Sequence, residues 1–176
     1  MVKVAKFFFY VIFFVGMLIF FLPKENLFYL AEKQLAQEKI YISKEVLRQK
    51  AFGLELKGAS ISYEGIEVAN IQEADITTLL VWNKITLHDV ALSSLIANYW
   101  PQKIQECEIR YTILNPLFVT AFAKGIFGEI HAEYSLKDGH VRVILHPSKV
   151  VLSKYRSSLR YFKKMKNGEY SYEKSL

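Results

Sequence analysis

Sixteen consecutive residues without a charge, Phe7 to Leu22 (FFFYVIFFVGMLIFFL), constrain this chain more than any other feature. A helix that crosses a bilayer needs roughly 17–25 apolar residues. Val4 and Ala5 lengthen the run, and the Lys6 stem can lie along it while its ammonium reaches the headgroups, so residues 4–22 suffice. A cleaved signal peptide is the competing reading. It calls for a shorter apolar core followed by a small-x-small site, whereas this run ends in Phe20, Phe21, Leu22 and Pro23. An uncleaved signal-anchor is therefore expected.

Orientation follows from Lys3, Lys6 and the amino terminus on the near side, against Lys24 and Glu25 just beyond. Positive charge stays cytoplasmic, which predicts a single-pass protein of a bacterial inner membrane with residues 23–176 in the periplasm. No second apolar stretch is long enough to span, so a multi-span transporter is excluded. Charged residues make up 23% of the 176, an ordinary globular share that excludes wholesale disorder. A single cysteine, Cys107, excludes an intrachain disulfide framework and any CxxC-type zinc or redox site.

Past Pro23, the segment KENLFYLAEKQLAQEK predicts a short helix over about 24–38, with Leu27, Leu30, Ala31 and Leu35 as its apolar stripe. Ile40 to Ile42 suggests a strand, and Glu45 to Gln49 one helical turn. After Phe52 the period changes from 3.6 to 2. Leu54 and Leu56 alternate with charges, Gly58 interrupts, and the apolar phase resumes at Ala59, Ile61 and Tyr63. A glycine where the phase slips by one residue predicts a β-bulge or a bend. A second slip separates Ile85 and Leu87 from Val90 and Leu92.

Glu64-Gly65 and Asp138-Gly139 are hairpin-turn signals. Ile130, Ala132 and Tyr134 should share a face with Val141, Val143 and Leu145. Pro116 to Ala123 predicts a mostly apolar strand. The fold class is mainly β with a transmembrane helix, as an antiparallel sheet of about eight short strands, one face wet and one dry. A short N-terminal helix precedes the sheet and a basic helix follows it. The expected division is 1–22 cytoplasmic N-terminus and anchor, 23–52 membrane-proximal helix and lead-in, 53–147 β domain, and 148–176 basic amphipathic helix and tail.

That last segment carries eight cations against two anions, an excess equal to that of the whole chain. Val151, Tyr155, Leu159 and Phe162 form one helical stripe flanked by Lys154, Arg156, Arg160, Lys163, Lys164 and Lys166. Three roles fit: nucleic-acid binding, contact with an anionic membrane surface or a partner, or an apolar cap on the sheet with solvated charges. A periplasmic site argues against nucleic acid, and the cap also covers a sheet end.

Specific chemistry is sparse. His131 and His146 can meet across the Asp138-Gly139 hairpin beside Glu129 or Glu133, but nothing has HExxH or CxxC spacing. Ser93-Ser94 and Ser157-Ser158 lack a nucleophile-elbow context. Cys107 lies on the apolar side of its strand, and Glu106 and Glu108 share a wet face. No catalytic residue, cofactor or metal is expected.

An anchor, a short helix and then amphipathic strands with glycine-marked phase slips make up FLPKENLFYLAEKQLAQ, GLELKGASISYEGIEVANI, ITLHDVALSS and KGIFGEIHAEYSLKDGHVRVILHPS. On these stretches residues 1–147 resemble the AsmA-like superfamily, and especially its small type II secretion system protein N group. The resemblance implies a half-open, taco-like sheet with an apolar groove on its concave side. Large members are associated with moving phospholipid between envelope membranes, and the secretion-system members are accessory parts of an envelope-spanning machine. About eight strands at ~4.8 Å would reach only ~35–40 Å, too short to bridge a periplasm alone.

Two functions follow as expectations. The first is a non-enzymatic scaffold that assists a secretion, transformation or flagellar apparatus, meeting envelope proteins through its sheet edges or through self-association. The alternative is a module holding phospholipid against an apolar face formed by Leu54, Leu56, Tyr111, Ile113, Phe118, Phe122, Tyr134 and Leu145. An ordinary core beneath the N-terminal helix explains the same eight residues.

Overall fold

The computed structural model describes residues 2–79 and 81–175, without the side chains of Val2 and Lys3. Leu80 and the terminal Met1 and Leu176 lie outside the described residues. Helix α1, Val2–Phe21, is the apolar run. Its Val4–Phe21 stretch is long and apolar enough to cross a membrane, as an anchor or a signal sequence is, and stands clear of the rest of the chain.

Helix α2, Lys24–Gln37, follows across Pro23. Lys24 is buried, and its Nζ donates to the carbonyls of Phe20 at 3.1 Å and Leu22 at 3.3 Å. It satisfies carbonyls that α1 leaves without intrahelical partners. This joint turns α2 away from the expected stripe. Lys24 and Phe28, one turn apart, face inward, whereas Leu27 and Leu30 are exposed.

The chain then runs through β1 Ile40–Ser43, β2 Val46–Lys50, β3 Gly53–Tyr63, β4 Ile66–Leu79, β5 Trp82–Leu92, β6 Lys103–Thr112, β7 Phe118–Gly125, β8 Gly128–Ser135 and β9 His140–Pro147. Helix α3, Lys149–Lys154, a 3-10 turn at Arg156–Tyr161, β10 Lys163–Lys164 and β11 Tyr170–Ser175 complete it. The eleven strands form one antiparallel sheet that does not close. β1 and β2 lie along one side of β3, and the order continues β4-β5-β6-β7-β8-β9-β11-β10. Ten ladder positions give a width of about 43 Å.

No register shift falls at Gly58; the shift between β3 and β4 lies between Ile61 and Ser62. Gly58 belongs instead to a row of skipped residues that crosses four strands. Lys57 pairs with Glu73 and Ala59 with Ile71, so Gly58 and Gln72 fall between rungs. Asp89 is skipped between His88 and Val90, and Gln105 between Ile104 and Glu106, where β6 also shifts register against β7. Each skipped residue rotates its strand by one position. Leu56 and Ala59, Ala74 and Ile71, Leu87 and Val90 therefore end on one face, in a core with Phe28 of α2. Gly58 (φ 71) and Asp89 (φ 49) take left-handed backbone at these slips.

A second core lies at the far corner of the same face. Val151 and Leu159 cover Leu145 and Phe127, with Trp100, Tyr155, Phe162 and Tyr170 around them. The apolar stripe expected in the tail thus packs on the sheet, but not as one helix. α3 ends at Lys154, and the chain passes through the 3-10 turn into strand. The tail expected after the basic helix is β11, whose Tyr170 and Tyr172 fall opposite Leu145 and Val143. Alternation of tyrosine with serine and glutamate suits a half-buried strand. Glu45 to Gln49, expected as a helical turn, is instead β2, because Leu47 pairs beside Leu56 and takes cover from the same core.

Candidate functional site

The eight residues expected on one apolar face divide into four groups. Leu54, Leu56 and Leu145 are 2%, 4% and 0% exposed, the first two in the core that Phe28 joins and the third beneath the C-terminal cap. Tyr111 and Tyr134 share that face through Val119, which pairs with both, and are half-buried. Ile113 stands in the loop after β6 and is exposed.

Phe118 and Phe122 belong to the opposite face. Phe122 pairs with Glu108 on one side and His131 on the other, and Phe118 with Ser135. The strand FVTAFAKG is apolar on both sides, so its alternation cannot say which side faces in. The tight hairpin between Gly125 and Gly128 decides it, setting Ala121 and Ala123 against Ala132 and Ile130. Small residues thus occupy the inner face of β7.

The polar face holds a groove of about 580 Å³ across β6–β9. Glu108 lies at its floor, 12% exposed. Lys84 Nζ donates to Glu108 Oε2 at 3.3 Å from β5, and the Arg110 guanidinium bonds the other oxygen. Burial pushes the Glu108 carboxyl up, but the bonds from Arg110 and Lys84 outweigh it and hold the group below the ordinary carboxylate range. The charge at the floor of the groove is thereby neutralised.

His131 and His146 do meet, their ring centres 5.7 Å apart, although they are diagonal neighbours rather than a directly opposed pair. His131 packs on Phe122 at 4.9 Å, and His146 Nδ1 lies 3.4 Å from Glu169 Oε1. Among the described residues no three histidine, cysteine, aspartate or glutamate side chains converge as metal ligands. Cys107 sits on the apolar face between Leu87 and Ala123, and burial pushes its thiol pKa up, away from a reactive thiolate.

The six tail cations are exposed and not collinear. Lys154 ends α3, Arg156 and Arg160 lie in the 3-10 turn, Lys163 and Lys164 form β10, and Lys166 is in the following turn. The Arg160 guanidinium lies 4.8 Å from the Tyr161 ring and donates to its hydroxyl at 2.7 Å.

No family model matches this chain, and neither do any curated protein or solved structure. The groove on the polar face escaped the sequence because its residues come from four strands. Only the alternation of Glu106, Glu108 and Arg110 hinted at the charges on this face.

Proposed function

We propose that this chain is a non-enzymatic, membrane-tethered scaffold, with α1 as an uncleaved signal-anchor and the β domain on the periplasmic side of a bacterial inner membrane. One observation carries the reading. The apolar face is filled from within at both ends, by Phe28 over the β3–β5 end and by Val151 and Leu159 over Leu145. The pair of open edges is left for a partner. Beyond Ser171, the outer side of β11 has no strand beside it among the described residues, and neither do β1 and β2 on the other edge. An added strand on either edge completes backbone hydrogen bonds at little cost in specificity of side chains.

The partner is another envelope protein of a secretion, transformation or flagellar apparatus, or a second copy. The order of elements still resembles the small type II secretion protein N group, and the taco-like curvature belongs to this proposal. Photo-reactive residues at Arg48 on β2 and Glu173 on β11 test it in intact cells. Discrete protein adducts at either edge are expected, with none at the mid-sheet Thr120. Failure of both edges to yield an adduct would refute the scaffold.

A second reading, a phospholipid-holding module, has one observation in its favour. Ile109, Tyr111, Val119, Tyr134 and Val143 form a half-buried apolar strip between the two covered ends. Tightly bound lipid lost on changing Val119 and Val143 to Asp would support it.

A further inference from the structure

The hairpin loops at one end of the sheet share a property. Phe52 joins β2 to β3, Val81 joins β4 to β5, Ile113, Leu114 and Leu117 join β6 to β7, and Leu136 joins β8 to β9. All are exposed, Leu114 by 91%. Single exposed apolar residues are unremarkable, but their recurrence in every loop along one end of the sheet marks a contact surface. One step inside this rim stand Trp82, Tyr111 and Tyr134, and Lys84 lies 5.9 Å from the Trp82 ring. Aromatic rings with cations beside an apolar edge are the composition of a membrane–water interface.

The course of α2 says what meets this rim. Its C-terminal end is at the opposite end of the sheet, where Lys39 bonds Glu64 at 2.6 Å beside the β3–β4 turn. From there the helix packs back over β1, β2 and β3, with Glu32 beside Glu45 and Phe28 in the core containing Leu54 and Leu56. Fourteen residues at 1.5 Å each span about 21 Å. The first turn of α2, and the α1 joint with it, therefore stands on the rim's side of the sheet. Leu27 and Leu30, the exposed leucines of α2, lie in these first two turns.

We propose that this rim rests in the lipid interface of the bilayer that α1 crosses, with Phe52, Val81, Leu114, Leu117 and Leu136 among the headgroups and first methylenes. The occupant is phospholipid. The inference rests on α1 being a retained anchor, and adds that the domain is held upright rather than swinging on a tether. An apolar surface of this kind settles about 5–10 Å into the headgroup boundary. The other end also exposes apolar groups, among them Tyr63, Ile66, Leu95, Tyr99, Ile126 and Tyr161, but β3 alone has eleven residues, which separates the two ends by roughly 35 Å. Upright, that end and its cations face away from the membrane.

The test uses the full-length protein with Cys107→Ala, reconstituted in phosphatidylcholine–phosphatidylglycerol vesicles. A single fluorophore is attached through Phe13→Cys, Leu114→Cys, Leu136→Cys or Tyr99→Cys, and lipids spin-labelled near the headgroup and mid-chain serve as quenchers. Loss of fluorescence is expected at 13 with the mid-chain label, at 114 and 136 with the shallow label, and not at 99. Quenching at 13 without quenching at 114 and 136 overturns the rim contact and leaves the anchor standing. Equal quenching at 99 and 114 means that the sheet lies flat, which also overturns it. No quenching at 13 removes the anchor itself, and the inference falls with it.

Discussion

Gly58 and Asp89 stand in the same row of the sheet, two strands apart, and both hold left-handed backbone angles, φ 71 and φ 49. The two phase slips keep Leu56 and Ala59, and Leu87 and Val90, facing one core. A left-handed conformation costs an L residue about 1–2 kcal/mol that glycine does not incur. Gly58→Ala should therefore destabilise by about that amount, and Asp89→Gly should stabilise by up to about 1 kcal/mol. Thermal melts of the full chain in detergent check both, and equal shifts of the same sign would contradict the left-handed assignment.

Glu108 is held ionised by Arg110 and Lys84 against the penalty of its burial. Its folded pKa is lowered, so its contribution is full above the unfolded value near ~4.3 and is lost as pH falls through the lower folded value. Glu108→Gln should cost about 1–2 kcal/mol at pH 7, by leaving two cations short of a partner. The difference from the parent should shrink as pH drops below about 4. Unfolding by denaturant at pH 7 and pH 3 measures it.

Glu32 has the opposite sign. Burial and the neighbouring Glu45 both raise its pKa. A raised carboxyl adds stability that is present below the unfolded pKa and lost as pH rises through the folded one. At pH 7 the ionised Glu32 is thus a cost, and Glu32→Gln should raise stability by about 0.5–1 kcal/mol. That gain should vanish in acid, where Glu32 is protonated, and a gain that persists at pH 3 would rule out the electrostatic cause.

The C-terminal segment should behave as a cap whose charges are spare. Val151 and Leu159 are buried over Leu145, whereas Lys163 and Lys164 are exposed. Leu159→Ala should cost about 2–4 kcal/mol. Changing Lys163 and Lys164 together to Ala should shift stability by no more than about 0.5 kcal/mol. The same melts decide it, and a reversed ranking would make the cations structural.

Much of the sheet was legible because alternation and turn chemistry agree. Ile130, Ala132 and Tyr134 meet Leu145, Val143 and Val141 as the hairpin signal required, and Glu64-Gly65 turns with φ 50 and 83. Gly58 announced a phase slip, but not the register shift between Ile61 and Ser62. The companion slips at Gln72 and Gln105 went unannounced, because glutamine there breaks no local rule and the row exists only between strands. Phe118 and Phe122 were misassigned for a related reason. A strand apolar on both faces has no phase of its own, so its neighbours choose. Leu27 and Leu30 point outward because the Lys24 joint overrides the helical stripe. The candidate surfaces were the least legible, since rim and groove are assembled from loops and strands far apart in the chain.

The apolar face is a filled core at both ends, and on the proposed reading the edges are the working surface. Extraction of the full-length protein from its native membrane in mild detergent tests this most directly, with particle mass and bound lipid read together. A discrete particle containing defined protein partners, unchanged when lipid is stripped, is the predicted result. A monomer or small oligomer carrying stoichiometric phospholipid, and no protein partner, would contradict it.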